Sequence, residues 1–255
     1  MQNSLKLSRL TKSFGDVVAV EGLDLTVSSG EFFGFLGPNG AGKTTTLKMM
    51  TGLLNPTLGK AEINGICVEE KPEKASKLFG YVPDEPSLYS QLKGKEFLNF
   101  IGDIYEVDRK KQGQRIPKYL ELFDLTEAAD QLIESYSHGM RSKLAIASEL
   151  LHDPEVLFLD EPMGGLDPKG ARIMKDVLKN IVNQGKIVFM STHILEIAEK
   201  LCSRVGIIEE GKLIVQGDVS ALRKKAKLGE NEDLEDIFLQ LTGEGEYREI
   251  IDQLE

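Results

Sequence analysis

Three stretches of the chain carry residue types suited to chemistry on a triphosphate. Residues 37–44, GPNGAGKT, follow an apolar run, precede a helical pattern and satisfy G-x-x-x-x-G-K-[ST]. Gly40 and Gly42 permit positive φ and a close backbone approach to phosphate. With Gly37, Pro38, Asn39 and Ala41 they form a turn whose N–H groups make an anion-binding concavity at a helix N-terminus. Lys43 brings a point charge to the β- and γ-phosphates, and Thr44 a hydroxyl for Mg²⁺. Thr45 continues the same cofactor-binding stretch.

The second stretch is VLFLDEP. Val156 to Leu159 read as a buried parallel strand that delivers Asp160 and Glu161 at its carboxyl end, the edge where open α/β sheets bind ligands. Asp160 suits the Mg²⁺ shell, and Glu161 suits a residue that orients or deprotonates an attacking water. Alone, two carboxylates can simply end a strand. Beside a phosphate loop they point to hydrolysis of a nucleoside triphosphate rather than nucleotide storage. The third stretch, KIVFMSTH, places His193 just after another strand, at the same kind of edge.

Around these stretches the chain alternates strands and helices. LKLSRL, LDLTV, EFFGFL and FGYVP read as strands in the first third, with a helix from Gly42. From about Ser87 to His152 helical spacing replaces them, and after HDPE the βα alternation returns. The fold class expected is therefore α/β. A phosphate-loop core with a mostly parallel sheet is flanked by helices, with an N-terminal antiparallel β part and an inserted all-helical subdomain. The boundaries expected are 1–84 and 153–217 for the ATP-binding core, 85–152 for the helical insertion and 218–255 for a helical tail.

The composition, 41% hydrophobic and 28% charged, is that of a globular protein, and no window approaches the roughly 18 consecutive apolar residues of a membrane span. The opening residues lack a secretory layout, so the expected location is the cytosol. A net charge of −10 argues against a nucleic-acid partner. Much of the acid lies in the last residues, which read as a solvated helical face. Cys67 and Cys202 read as small buried hydrophobes in a reducing compartment.

The stretch YSHGMRSKLAIASELL leaves two readings open. Ser137 is a good N-cap, and Met140, Leu144, Ala147 and Leu151 follow on one helical face, as in any capped core helix. Yet Met140 stands where a capping box needs Glu or Gln, which leaves the first-turn N–H groups and the serine hydroxyl free for an anion.

In this order GPNGAGKTT, YSHGM, VLFLDEP, GGLDP and STH resemble the motifs of the nucleotide-binding subunit of an ATP-binding cassette transporter, over about Leu5 to Gly217. The resemblance implies that Ser137 and Gly139 of one subunit cap the γ-phosphate held by another subunit's phosphate loop. It also implies that His193 contacts that phosphate, Asp167 links the two sites, and Phe14 stacks on adenine. Asp84 stands in place of a glutamine near Mg²⁺; it is shorter, charged and unable to donate as an amide does. Tyr136, His138 and Met140 depart from the usual Leu-Ser-Gly-Gly-Gln, and His138 either donates to phosphate or points outward. Gly164 stands where serine is common. Ser-x-Gly-Met and the tail DLEDIFLQLTG resemble the drug and antibiotic exporter branch.

The implied partners are a second copy or a sister ATPase subunit, and integral membrane permease subunits on the inner face of the cell membrane. The segment around Tyr81 to Ile104 reads as the helical transmitter to them. A non-transport ATPase of the same superfamily, acting in DNA repair or translation, is the alternative; such proteins usually carry paired cassettes or long inserted coiled coils, and neither occurs here. A switch GTPase lacks its N-K-x-D motif in this chain.

Overall fold

The computed structural model describes residues 4–226 and 232–242. The chain opens with an antiparallel pair, β1 (Ser4–Phe14) and β2 (Val17–Ser28), and continues into β3 (Phe32–Leu36) and helix α1 (Lys43–Met50). Next come β4 (Leu58–Ile63), β5 (Ile66–Cys67), α2 (Pro72–Ser76) and β6 (Phe79–Val82). Helices α3 (Gly94–Ile104), α4 (Arg109–Leu122) and α5 (His138–Leu150) follow without a named strand between them. The βα alternation then resumes with β7 (Val156–Asp160), α6 (Pro168–Asn183), β8 (Ile187–Thr192), α7 (Leu195–Leu201), β9 (Arg204–Glu209) and β10 (Lys212–Gly217). Helices α8 (Val219–Ala226) and α9 (Leu234–Thr242) end the described chain.

Two sheets form. One has four strands in the order β2-β1-β4-β5, and the other six in the order β10-β9-β3-β8-β7-β6. Neighbours from β9 through β6 run parallel, and only β10 pairs antiparallel, through a tight turn with positive φ at Glu210 and Gly211.

The central strands are buried on both faces, so β7 and β8 lack polar alternation. Leu157, Leu159, Val188 and Met190 meet the helices α3 to α6. Phe158 and Phe189 turn to the other side, with Phe33 and Phe35, over the core shared with α1 and the four-stranded sheet. Phe189 is the hub of that side. Its ring lies 5.3 Å from Phe33, 5.5 Å from Phe35 and 6.0 Å from Phe158. Phe189→Ala is expected to cost about 3–5 kcal/mol in urea denaturation, the range for a buried aromatic truncation, and a loss below about 1 kcal/mol would contradict this packing.

Several local expectations need correction. Phe79–Val82 is strand and residues 83–93 contain no helix, so the segment expected to be helical from about Tyr81 to Ile104 is helical only from Gly94. The expected helical stretch to His152 does hold α4, whose cap Asp108 accepts from the N–H groups of Lys110 and Lys111. Cys67 is not core: it sits half-buried on the edge strand β5 and donates to Glu69 at 3.0 Å. Cys202 is also only partly buried as a residue, although its thiol packs under Gly34 and burial pushes its pKa up. In the acidic tail, Asp233 and Glu235 are exposed, as a solvated face requires, while the opposite face of α9 buries Leu234, Ile237 and Phe238 against α7 and α8. The expected tail residues 243–255 lie outside the described residues.

Candidate functional site

The order of the large sheet assembles the site. β8 lies between β3 and β7, and all three run parallel. Register pairs Leu36 with Thr192 and Asp160 with Ser191, so the segments leaving β3, β7 and β8 emerge side by side at one edge. That edge carries the phosphate loop, Asp160–Glu161 and His193.

Gly40 and Gly42 take φ of +83° and +104°. At Gly42 a Cβ would meet the carbonyl of Ala19 at 2.7 Å, so only glycine serves there. The Lys43 side chain runs back along the loop and its ammonium donates to the carbonyls of Gly37 (2.7 Å) and Pro38 (3.1 Å). Lys43 is only 6% exposed. Burial lowers its pKa, and the negative charges of Glu161 and Asp160 offset part of that.

Asp160, 2% exposed, is held at both oxygens. Thr44 Oγ1 donates to Oδ2 at 2.8 Å, and Ser191 Oγ makes a short bond to Oδ1. Glu161 takes φ of +48°, a left-handed conformation that costs a non-glycine residue about 1–3 kcal/mol. Its N–H donates to the Ser191 carbonyl at 3.1 Å. Its carboxylate is 2.9 Å from His193 Nδ1 and 3.7 Å from Lys43 Nζ, and it accepts from the His193 N–H at 3.4 Å. The end of β8 thus holds both acidic residues in place.

A cleft of about 200 Å³ opens between these groups, lined by Asn39, Gly40, Gly42, Lys43, Thr44, Thr45, Asp84, Asp160 and Glu161, with Ala19 behind. Gly37, Pro38 and Ala41 do not line it; the first two accept from the Lys43 ammonium, and the Ala41 N–H donates to the Pro38 carbonyl. Partial burial raises the Asp84 carboxyl above the usual range, and Asp160 and Glu161 add to the shift. Nearby, burial pushes the Tyr81 phenol up to about 12, with Asp160 and Asp84 contributing. Hard oxygens from Thr44 and Asp160 in one cleft fit Mg²⁺, which favours oxygen ligands and keeps several waters. Among the described residues no three His, Cys, Asp or Glu side chains form a complete metal cage. A cation here would therefore take the rest of its shell from phosphate and water.

Other sequence-predicted residues stand outside the cleft. Ser137 caps α5, accepting from the Met140 N–H at 3.3 Å, and is exposed. His138 lies against Gly165 of the loop after Glu161, and Gly139 packs near the Gly165 carbonyl. Tyr136, where the family has leucine, is buried; its hydroxyl donates to the Ala128 carbonyl at 2.6 Å and occupies space that the missing side chain of Gly94 leaves open. Asp167 caps α6 by accepting from the Gly170 N–H, and pairs with Lys143 of α5 at 3.5 Å. Phe14 is 51% exposed at the end of β1, with Lys12 Nζ 5.2 Å from its ring centre, so it is not a core residue.

Two residues in these contacts were missed by sequence reasoning. Ser191 is a hydroxyl in a run of buried apolar residues, two positions before His193, and that oddity was its only signal. Lys143 follows Arg141 and Ser142 in the polar first half of α5, with no sign in the sequence of its distant partner.

The family described as ABC transporter matches residues 20–164. An uncharacterized ABC transporter ATP-binding protein of Nostoc sp. is 40% identical over 208 residues, 81% of this chain and 62% of its own length. The probable multidrug ABC transporter ATP-binding protein YbhF of Escherichia coli is 38% identical over 93% of this chain. The chain spans 41% of that protein's length. A solved structure described as the ATP binding subunit of an ABC transporter superposes with a TM-score of 0.89 at 29% identity, covering 93% of this chain and 99% of its own. With the phosphate loop, Asp160, Glu161 and His193 converging on one sheet edge, the chain belongs to the ABC transporter family, as one of its ATP-binding subunits.

Proposed function

We propose that this subunit hydrolyses MgATP as a dimer and drives integral membrane partners of an exporter. The observation that carries the reading is that Ser137, exposed at the start of α5, and the half-buried Gly139 do not line the cleft that holds Lys43, Asp160 and Glu161. One copy presents the triphosphate cradle, and the α5 N-terminus of another supplies the N–H groups that close it.

The division of labour follows from the chemistry of each group. The backbone of Gly37 to Gly42 cradles the phosphates, and Lys43 turns its ammonium from the loop carbonyls to the β- and γ-oxygens. Thr44 and Asp160 would hold a Mg²⁺ ion, with Asp84 on the same side of the cleft; when bound, the cation would neutralise charge on the phosphates. Glu161 orients and deprotonates the attacking water, and His193 fixes the Glu161 carboxylate and meets the γ-phosphate. Asp167 connects the two sites, and Phe14 offers a π-face to adenine. Once the γ-phosphate leaves, the bridge between copies is lost and they part.

In this reading residues 1–84 and 153–217 form the ATP-binding core, 85–152 the helical arm facing the membrane partners, and 218–255 an appendage. Among the described residues no helix is long and apolar enough to cross a membrane. Attachment to the inner face of the cell membrane would then come through the partner subunits, and the multidrug relative supports an export role.

Ser137→Arg, at the exposed first position of that surface, tests the shared site. It puts a bulky side chain at the proposed closure surface, so it should leave MgATP affinity of the monomer within about twofold while turnover falls at least about a hundredfold. Affinity is read by calorimetry and turnover by phosphate release. Parental turnover in this variant would end the composite-site reading.

A further inference from the structure

Asp160 is a buried carboxylate whose two oxygens are held from two different elements. Thr44 of α1 reaches Oδ2, and Ser191 of β8 reaches Oδ1. Ser191 is fully buried, and the β7–β8 register sets it directly beside Asp160. The Ser191 hydroxyl has a second acceptor, the Leu159 carbonyl, but at 3.4 Å that is the longer contact. The Ser191 carbonyl meanwhile accepts the Glu161 N–H, so one residue touches both members of the acidic pair.

A carboxylate with one free oxygen can rotate about its terminal bond, and a cation or its water needs the other oxygen in a fixed place. We propose that Ser191 is a positioning residue that sets the divalent-cation affinity of the nucleotide site. It ties down Oδ1 of Asp160 and keeps Oδ2 facing Thr44 and the metal. The inference rests on the reading of Asp160 and Thr44 as the metal side of the cleft. It predicts an effect on the cation separable from any effect on the nucleotide, because Ser191 does not line the cleft itself.

The experiment compares ADP affinity by calorimetry with and without Mg²⁺, taking the ratio as the readout. In Ser191→Ala the metal-free affinity should stay within about twofold, while the gain on adding Mg²⁺ should shrink about tenfold, the scale of one hydrogen bond to a charged group. Ser191→Thr keeps a hydroxyl at the same place and should restore most of the gain. Asp160→Asn is the control that separates the two readings. If Asp160→Asn reduces the Mg²⁺ gain and Ser191→Ala does not, the Ser191 proposal is wrong and the metal site stands. If Asp160→Asn leaves the gain intact, the assignment of the metal to Asp160 fails and the proposal falls with it. If Ser191→Ala lowers affinity equally with and without Mg²⁺, Ser191 is a packing residue and the proposal is overturned.

Discussion

Glu161→Gln should bind ATP with nearly parental affinity, turn it over at least about a hundredfold more slowly, and accumulate as an ATP-bound dimer. The amide matches the carboxylate in size, so the contact with His193 survives with the amide oxygen as acceptor, while the group can no longer take a proton from water. A positioned general base contributes roughly 10²–10⁴ in rate, which sets the size of the loss. The backbone of Glu161 is fixed by the Ser191 carbonyl and its left-handed φ, so the substitution changes chemistry more than geometry. Slow turnover keeps the γ-phosphate in place, and the proposed bridge then persists. Phosphate release and sedimentation in ATP measure the two halves of the prediction separately. Parental turnover would remove Glu161 from the mechanism; slow turnover by a strict monomer would remove the dimer instead.

Lys43→Ala carries the other large effect. ATP affinity should fall at least about a hundredfold, since the lysine provides charge-assisted hydrogen bonds to phosphate in a site where it is almost wholly buried. The remaining charges make the loss worse. Without Lys43, the triphosphate would face Asp84, Asp160 and Glu161 in the same cleft with no cation from that loop. Calorimetric titration with ATP decides the matter, and unchanged affinity would show that the phosphates are held elsewhere.

The phosphate loop could be read early because its parts are adjacent in sequence and each glycine has a local backbone reason. The Asp160–Glu161 pair could be read because a doubly buried strand leaves an unbroken apolar run. What stayed hidden depends on partners distant in sequence. Tyr136 reaches the Ala128 carbonyl beside Gly94, Lys143 reaches Asp167, and Ser191 reaches Asp160; each side chain alone is an ordinary polar residue. The small sheet was under-read for a different reason. In β4 only Ala61 and Ile63 are buried, among Gly, Lys and Glu, so the two-residue period is too short to detect. The first turns of α4, RKKQGQR, are polar throughout and even their buried position is Gln112, so no apolar period marks the start of that helix.

The placement of β8 between β3 and β7 bears on how the protein is made. A chain emerging residue by residue has β3 and β7 in hand well before Ile187–Thr192 arrives, and those two strands do not pair with each other. Until the last of the three slots in, the acidic pair has no scaffold and the glycine turn no neighbour. Closing such distant segments is a slow, entropically demanding step, so competence to bind nucleotide should be among the final properties the nascent polypeptide acquires.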